Sequence, residues 1–157
     1  MNNVESVVNC VRPCSFVSVW PLIDNSPIIV KTCWMKTISG AWCTTVRLHP
    51  TVIWPCIFGC HGEKDELKHY ILCPVLWQLV REHVPGHEQS ITSCSRLCLV
   101  EPSFSKLKAF AFAHLLCHTC KNEPSCLGND GFIKCGSVVQ AFASEAGRAI
   151  KHTIQVA

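Results

Sequence analysis

The chain has 157 residues, 48% of them hydrophobic and 16% charged, a composition that excludes a disordered protein. Its formal net charge of +3 is too small to indicate a nucleic-acid partner by itself. No window approaches the roughly 18 uncharged apolar residues that a membrane span needs, so no membrane partner is expected.

The first residues, MNNVESVVNCVRPCSFVSVWPLI, lack the features of a secretory signal, because they have no early basic region and Arg12 and Pro13 interrupt the apolar run. The 13 cysteines are an odd number, whereas secreted disulfide frameworks usually have an even number in a shorter chain. We therefore expect a reducing compartment, nuclear or cytoplasmic. There, clustered cysteines favour metal binding over disulfides.

The hydrophobic pattern predicts a mainly α protein. Residues 1–33 show no sustained period and are expected to be irregular. A short amphipathic helix is predicted over 35–49, and the acids of EKDELKHYIL favour a helix over 63–72. Pro74 should open a further helix as its first residue. The last two predicted helices span 103–120, which is apolar nearly all round, and 137–155, which has one apolar stripe.

The stretch CIFGCHGEKDELKHYILCPVLW, residues 56–77, has the spacing of a zinc site. Structural zinc needs four soft or borderline ligands placed tetrahedrally. A pair of cysteines on a tight turn could supply half of them, and a histidine and a cysteine one helical turn apart could supply the rest. The predicted zinc ligands are Cys56, Cys60, His69 and Cys73.

Glycines support this interpretation, since Gly59 and Gly62 flank Cys60 and allow the positive φ that such a turn requires. His61 is a possible substitute ligand. The alternative is a set of ordinary buried cysteines, although the charged loop between Cys60 and His69 argues against it. The predicted segments are an irregular N-terminal extension (1–33), a short helix plus zinc knuckle (34–84), a linker (85–102) and a C-terminal helical segment (103–157).

A second cluster of cysteines lies near the end of the chain. Its C-x2-C spacing suggests a metal, but its first members end a very apolar helix, where cysteine packs well as a small hydrophobic residue. Whether this cluster binds a second metal stays open. Its members are Cys117, Cys120, Cys126 and Cys135, with His114 and His118 nearby.

The stretch from Cys56 to Trp77 resembles the Cys-Cys-His-Cys knuckle at the C-terminal side of reverse transcriptases from LINE-type (non-LTR) retrotransposons. The upstream ISGAWCTTVRLH is similar to the W-x-T-x-R stretch that often precedes that knuckle, and the resemblance covers about residues 34–152. The predicted ligands fall on the family's ligand positions. The flanking pattern is matched by Glu66, Tyr70, Pro74 and Trp77.

The resemblance implies a fragment without the polymerase core whose knuckle helps to grip RNA or DNA. Lys64, Lys68 and Arg47 would contact phosphates, and Trp77 or Tyr70 would stack a base. The alternative is that the aromatic residues belong to the core and the lysines form a solvated face.

No enzymatic activity is expected. The chain has aspartate only at Asp24, Asp65 and Asp130, without the adjacent pair that two-metal polymerase chemistry needs, and it lacks the common hydrolase and phosphate-binding motifs. Three functions compete: a zinc-dependent nucleic-acid-binding remnant of a reverse transcriptase, a structural zinc module that mediates protein contacts, and a translated fragment without a function of its own.

Overall fold

The computed structural model describes residues 14–48, 51, 54–85, 93–126 and 136–156. Within these ranges the protein is mainly α, as predicted, and its only extended pairing is an isolated antiparallel bridge between Pro55 and Lys64. The helices are α1 (Cys14–Asp24), α2 (Ile28–Ile38), α3 (Thr45–Leu48), α4 (Leu67–Leu72), α5 (Pro74–His83), α6 (Ser93–Arg96), α7 (Phe104–Asn122) and α8 (Ser137–Val156), with a 3-10 turn over Pro124–Cys126.

The prediction of irregular structure over 1–33 is wrong from Cys14 onward, because α1 and the first part of α2 lie there. Pro27 is the N-cap residue of α2. The buried residues of α2 recur at helical spacing and form one face: Val30, Cys33, Trp34 and Thr37. Residues 1–13 of the predicted extension lie outside the described part of the chain.

The helix predicted over 35–49 also has different bounds. α2 ends at Ile38, and Gly40, with a φ of +67°, turns the chain before the four-residue α3. Trp42 lies between these two helices and is 2% exposed, and its indole N–H donates to Thr37 Oγ1 over 2.7 Å. The aromatic residue of the predicted helix is therefore a core residue in the connection.

The two C-terminal helices occur as predicted and form the centre of the fold. Ser103 Oγ accepts from the Lys106 backbone N–H at the start of α7, which is then buried nearly all round and packs against α2, α5 and α8. On α8 the buried stripe includes Val139 and Ile150, whereas Val138 is 46% exposed. Because α7 is apolar on nearly every side, α2, α5 and α8 pack around it.

Residues 97–99, which lie in the predicted linker, belong to this core. Leu97 and Leu99 are buried, and the Trp34 indole N–H donates to the Leu97 carbonyl over 3.0 Å. Buried side chains from each of the four predicted segments form one cluster, and the division into segments stays a prediction. Among the described helices, none combines the length and apolarity required to cross a membrane.

Candidate metal centre

A short hairpin presents the first two cysteines. The Cys56 backbone N–H donates to the Glu63 carbonyl over 2.9 Å, and the Asp65 N–H donates to the Trp54 carbonyl over 2.8 Å. At the tip, Gly59 and Gly62 have φ of +82° and +72°, as the sequence predicted. Hydrogen bonds between the two arms hold the tip in place.

The helix that carries His69 begins later than predicted. Glu63 and Asp65 form one arm of the hairpin, so α4 begins at Leu67 and not at residue 63. α4 also ends at Leu72, so His69 and Cys73 do not share one helix. Cys73, with φ −53° and ψ 114°, is the residue between α4 and α5.

Pro74 is the reason for the break after α4. Its ring disfavours a helical conformation at the preceding residue, and it opens α5 at the first helical position, as predicted. Cys73 thereby becomes the N-cap of α5, and its Sγ accepts from the Leu76 backbone N–H over 3.4 Å. A helix N-terminus favours the thiolate that a metal ligand needs.

Hairpin and helices bring all four predicted ligands together. Cys73 Sγ lies 4.0 Å from Cys56 Sγ and 3.5 Å from Cys60 Sγ, and the four ligand atoms all lie within 4.8 Å of one another. A disulfide would need about 2.05 Å, and these thiols are free. Zinc–sulfur bonds of about 2.3 Å give a tetrahedral edge of about 3.8 Å, which matches the observed separations.

The imidazole of His69 is placed as a metal ligand would be. The residue is 8% exposed, its Nδ1 lies 3.2 Å from Glu63 Oε2, and its buried Nε2 has no hydrogen-bond partner. A buried nitrogen without a partner is costly, whereas a metal-bound histidine usually donates its other N–H to a carboxylate. The sequence did not single out Glu63, because an acidic loop does not reveal which acid turns toward the site.

The pKa values of the three thiols are shifted in different directions. The hydrogen bond from Cys73 lowers the pKa of Cys56, assisted by His69 and opposed by burial. The same bond, together with burial, raises the pKa of Cys73, and burial raises that of Cys60. A zinc ion would take the place of the retained protons, since it binds thiolates.

A buried carboxylate supports the site from behind. Asp65 is 1% exposed, and it accepts from the Thr45 backbone N–H over 2.8 Å, from the Tyr70 hydroxyl over 2.6 Å and from the Lys121 ammonium. Burial raises the pKa of Tyr70, so the phenol remains a donor. The network ties the hairpin and α4 to α7, and no local pattern distinguishes Asp65 from the solvated acids beside it.

The hairpin tip also contacts the start of α8. The Gly136 backbone N–H donates to the Ile57 carbonyl over 3.1 Å, and Gln140 Nε2 donates to the Phe58 carbonyl over 2.7 Å. A Cβ on Gly59 would lie only 2.7 Å from Gly136 Cα. The cluster of Cys56, Cys60, His69 and Cys73 is therefore joined to the helical core and is not a detached module.

The residues predicted to contact nucleic acid have different surroundings. Lys64, Lys68 and Arg47 are exposed, and Arg47 also donates to the Trp42 carbonyl over 3.3 Å. Trp77 is 4% exposed, its indole N–H donates to the Tyr70 carbonyl over 3.2 Å, and the Arg96 guanidinium lies 4.6 Å from its ring centroid. The ring of Trp77 is enclosed in the core, which favours the alternative that this aromatic residue belongs to the core, and its base-stacking role stays a prediction.

The structure gives less support to His61 as a ligand and to a metal site in the second cysteine cluster. His61 is exposed and is not part of the four-residue group. Cys117, Cys120 and Cys126 are buried, burial raises the pKa of Cys117 to about 12, and Cys135 lies outside the described residues. Elsewhere in the described part of the chain, no group of three or more cysteines, histidines or acids comes close enough to hold a metal ion.

Comparison with protein families, with curated proteins and with solved structures found no match for this chain.

Proposed function

We propose that this chain is a zinc-dependent nucleic-acid-binding protein without polymerase activity of its own, consistent with its resemblance to the knuckle of LINE-type reverse transcriptases. The observation that carries the proposal is the convergence of three thiols on His69, whose Nε2 is buried without a partner. A compact set of three sulfur atoms and one nitrogen suits zinc better than magnesium or calcium, which prefer oxygen.

Zinc bound here would be structural. Cys56, Cys60, His69 and Cys73 would complete a four-coordinate shell, which leaves no open position for a water or a substrate. The ion would cross-link the hairpin to the junction of α4 and α5. Glu63 would hold the imidazole through Nδ1, and the Leu76 N–H would stabilise the Cys73 thiolate.

The nucleic-acid part of the proposal rests on exposed cations next to this cross-link. Lys64 lies on the second arm of the hairpin, Lys68 lies on α4 one residue before His69, and both are exposed. Because zinc would fix both elements, the two ammonium groups would be held ready for phosphates. Arg47, at the end of α3, can add a third contact. Such contacts are sensitive to salt and carry little sequence information.

Cobalt titration of the full chain tests the metal site. Co²⁺ bound by three thiolates and one imidazole in a tetrahedron gives strong visible absorption, and zinc should displace it. His69→Ala should weaken or abolish that spectrum, whereas His61→Ala, the matched control at an exposed histidine, should leave it unchanged. An octahedral spectrum, or no binding by the wild-type chain, would remove the proposal.

Salt-dependent binding to single-stranded RNA tests the function. Each phosphate contact adds about −0.7 to the slope of log K against log salt. For K64Q/K68Q we therefore expect weaker binding and a slope shallower by about 1.4. K108Q/K151Q makes the same change in net charge away from the knuckle and is the matched control. Equal weakening by both double variants would indicate attraction to net charge only and would contradict a knuckle-based surface.

A second candidate is a structural zinc module that mediates protein contacts, and contacts within the chain support the structural part of this role. The knuckle is tied to α7 through Asp65 and Lys121 and to α8 through Phe58 and Gln140. Zinc removal should therefore disturb residues 51–84 and also loosen α8. Tetrahedral cobalt binding and a zinc-dependent melting temperature, without salt-sensitive RNA binding, would select this candidate over the first.

A further inference from the structure

A groove away from the metal centre lies where α5, α7 and α8 meet. It encloses about 390 Å³, within the range of roughly 300–1,000 Å³ typical of small-molecule sites. Its lining is mostly apolar, and none of the described residues that line it is an aspartate or a glutamate. We call it the end groove, defined by Val84, Phe104, Lys108, Lys151 and Ile154.

Two lysines give the end groove its charge. Lys108 on α7 and Lys151 on α8 are half-buried, and neither makes a hydrogen bond or an ion pair among the described residues. By contrast, Lys31, Lys106 and Lys121 each pair with a carboxylate. Two cations without a carboxylate partner among the described residues would attract an anion to this apolar groove.

His83 makes the groove rigid before any ligand enters. Its Nδ1 lies 2.8 Å from the Leu79 carbonyl and its Nε2 lies 3.2 Å from the Ser144 carbonyl, so the ring bridges α5 and α8. The ring stacks on Phe112 at 5.3 Å between centroids. A Cβ on Gly147 would lie only 2.6 Å from Nε2, so the glycine is needed for this close packing. A preformed groove reduces the ordering cost of binding.

We infer that the end groove binds a free monocarboxylic amphiphile, such as a medium-chain fatty acid. The carboxylate would lie between Lys108 and Lys151, and the alkyl chain would cover Phe104 and Ile154. Phe104 is 38% exposed, and such a chain would bury part of this exposed area. The mostly apolar lining favours a single anionic head with an apolar tail over a polyanion.

Isothermal titration calorimetry of the zinc-loaded full chain with hexanoate, octanoate and decanoate tests this inference. Each added methylene should tighten binding about fourfold, as long as the groove accommodates it. Octylammonium, which has the same tail and the opposite charge, should not bind. K108Q/K151Q should weaken decanoate binding about tenfold. K64Q/K68Q changes the net charge equally and should leave binding unchanged.

Phe104→Asp supplies a second test, because the substitution places a carboxylate at an exposed position of the groove and should abolish decanoate binding. The inference is overturned if octylammonium binds as well as octanoate, if affinity does not increase with chain length, or if both lysine pairs affect binding equally. K64Q/K68Q tests RNA binding and K108Q/K151Q tests decanoate binding, and each double variant is the control for the other test. Failure of one proposal therefore leaves the other intact.

Discussion

The buried ion pair behind the candidate metal centre leads to a quantitative prediction about stability. Asp65→Ala removes the acceptor of the Thr45 N–H, the Tyr70 hydroxyl and the Lys121 ammonium. The Lys121 side chain is only 9% exposed, so its charge would stay in the interior with the Cys43 carbonyl as its remaining acceptor. Breaking a buried pair in this way costs about 3–5 kcal/mol.

That cost is a large part of the roughly 5–15 kcal/mol by which a native domain is stable. Urea unfolding of the zinc-saturated chain, followed by tryptophan fluorescence, measures it as the change in free energy of unfolding. Asp24→Ala is the matched control, because Asp24 is 58% exposed in its pair with Lys31 and should change the free energy by no more than about 0.5 kcal/mol.

Asp65→Ala combined with Lys121→Met should recover part of the loss, because the uncompensated cation is then absent. The reasoning is refuted if Asp65→Ala costs no more than Asp24→Ala. It is also refuted if the double variant loses as much free energy as the sum of the two single variants, since independent effects would mean that the two groups do not interact.

Two further predictions concern the turn and a buried histidine. Gly59→Ala should lower the free energy of unfolding by about 1–3 kcal/mol more than Gly62→Ala, because both have positive φ but only a Cβ on Gly59 would meet Gly136; equal losses in urea unfolding would contradict the contact. Burial lowers the pKa of His114 from 6.5 to about 3, and its two ring nitrogens have no hydrogen-bond partner. The neutral ring therefore favours the folded state above about pH 6.5, and this stabilisation is lost as the pH falls toward 3. At pH 5 the loss in the free energy of unfolding should be about 2 kcal/mol. His114→Phe should remove this component, so a difference in unfolding free energy between wild type and variant that stays constant from pH 7 to 5 would show the reasoning to be wrong.

The features that the sequence predicted correctly depend on neighbouring residues. The ligand spacing placed Cys56, Cys60, His69 and Cys73 together, and the glycines at the hairpin tip took positive φ, because a tight turn permits few conformations. Pro74 opened a helix because its ring restricts the residue before it. The continuous apolar run of α7 produced a buried central helix, since no other environment can cover it.

The amino-acid sequence by itself therefore determined the helical class and the set of metal-ligand candidates, both of which follow from spacing along a short stretch. Only the tertiary structure decided that Asp65 is buried against Lys121, which lies 56 residues away, that Glu63 faces His69, and that Trp77 belongs to the core. The physical reason is that burial and charge pairing depend on which distant surfaces meet. A charged loop or a lone tryptophan has the same local pattern whether it faces solvent or another helix.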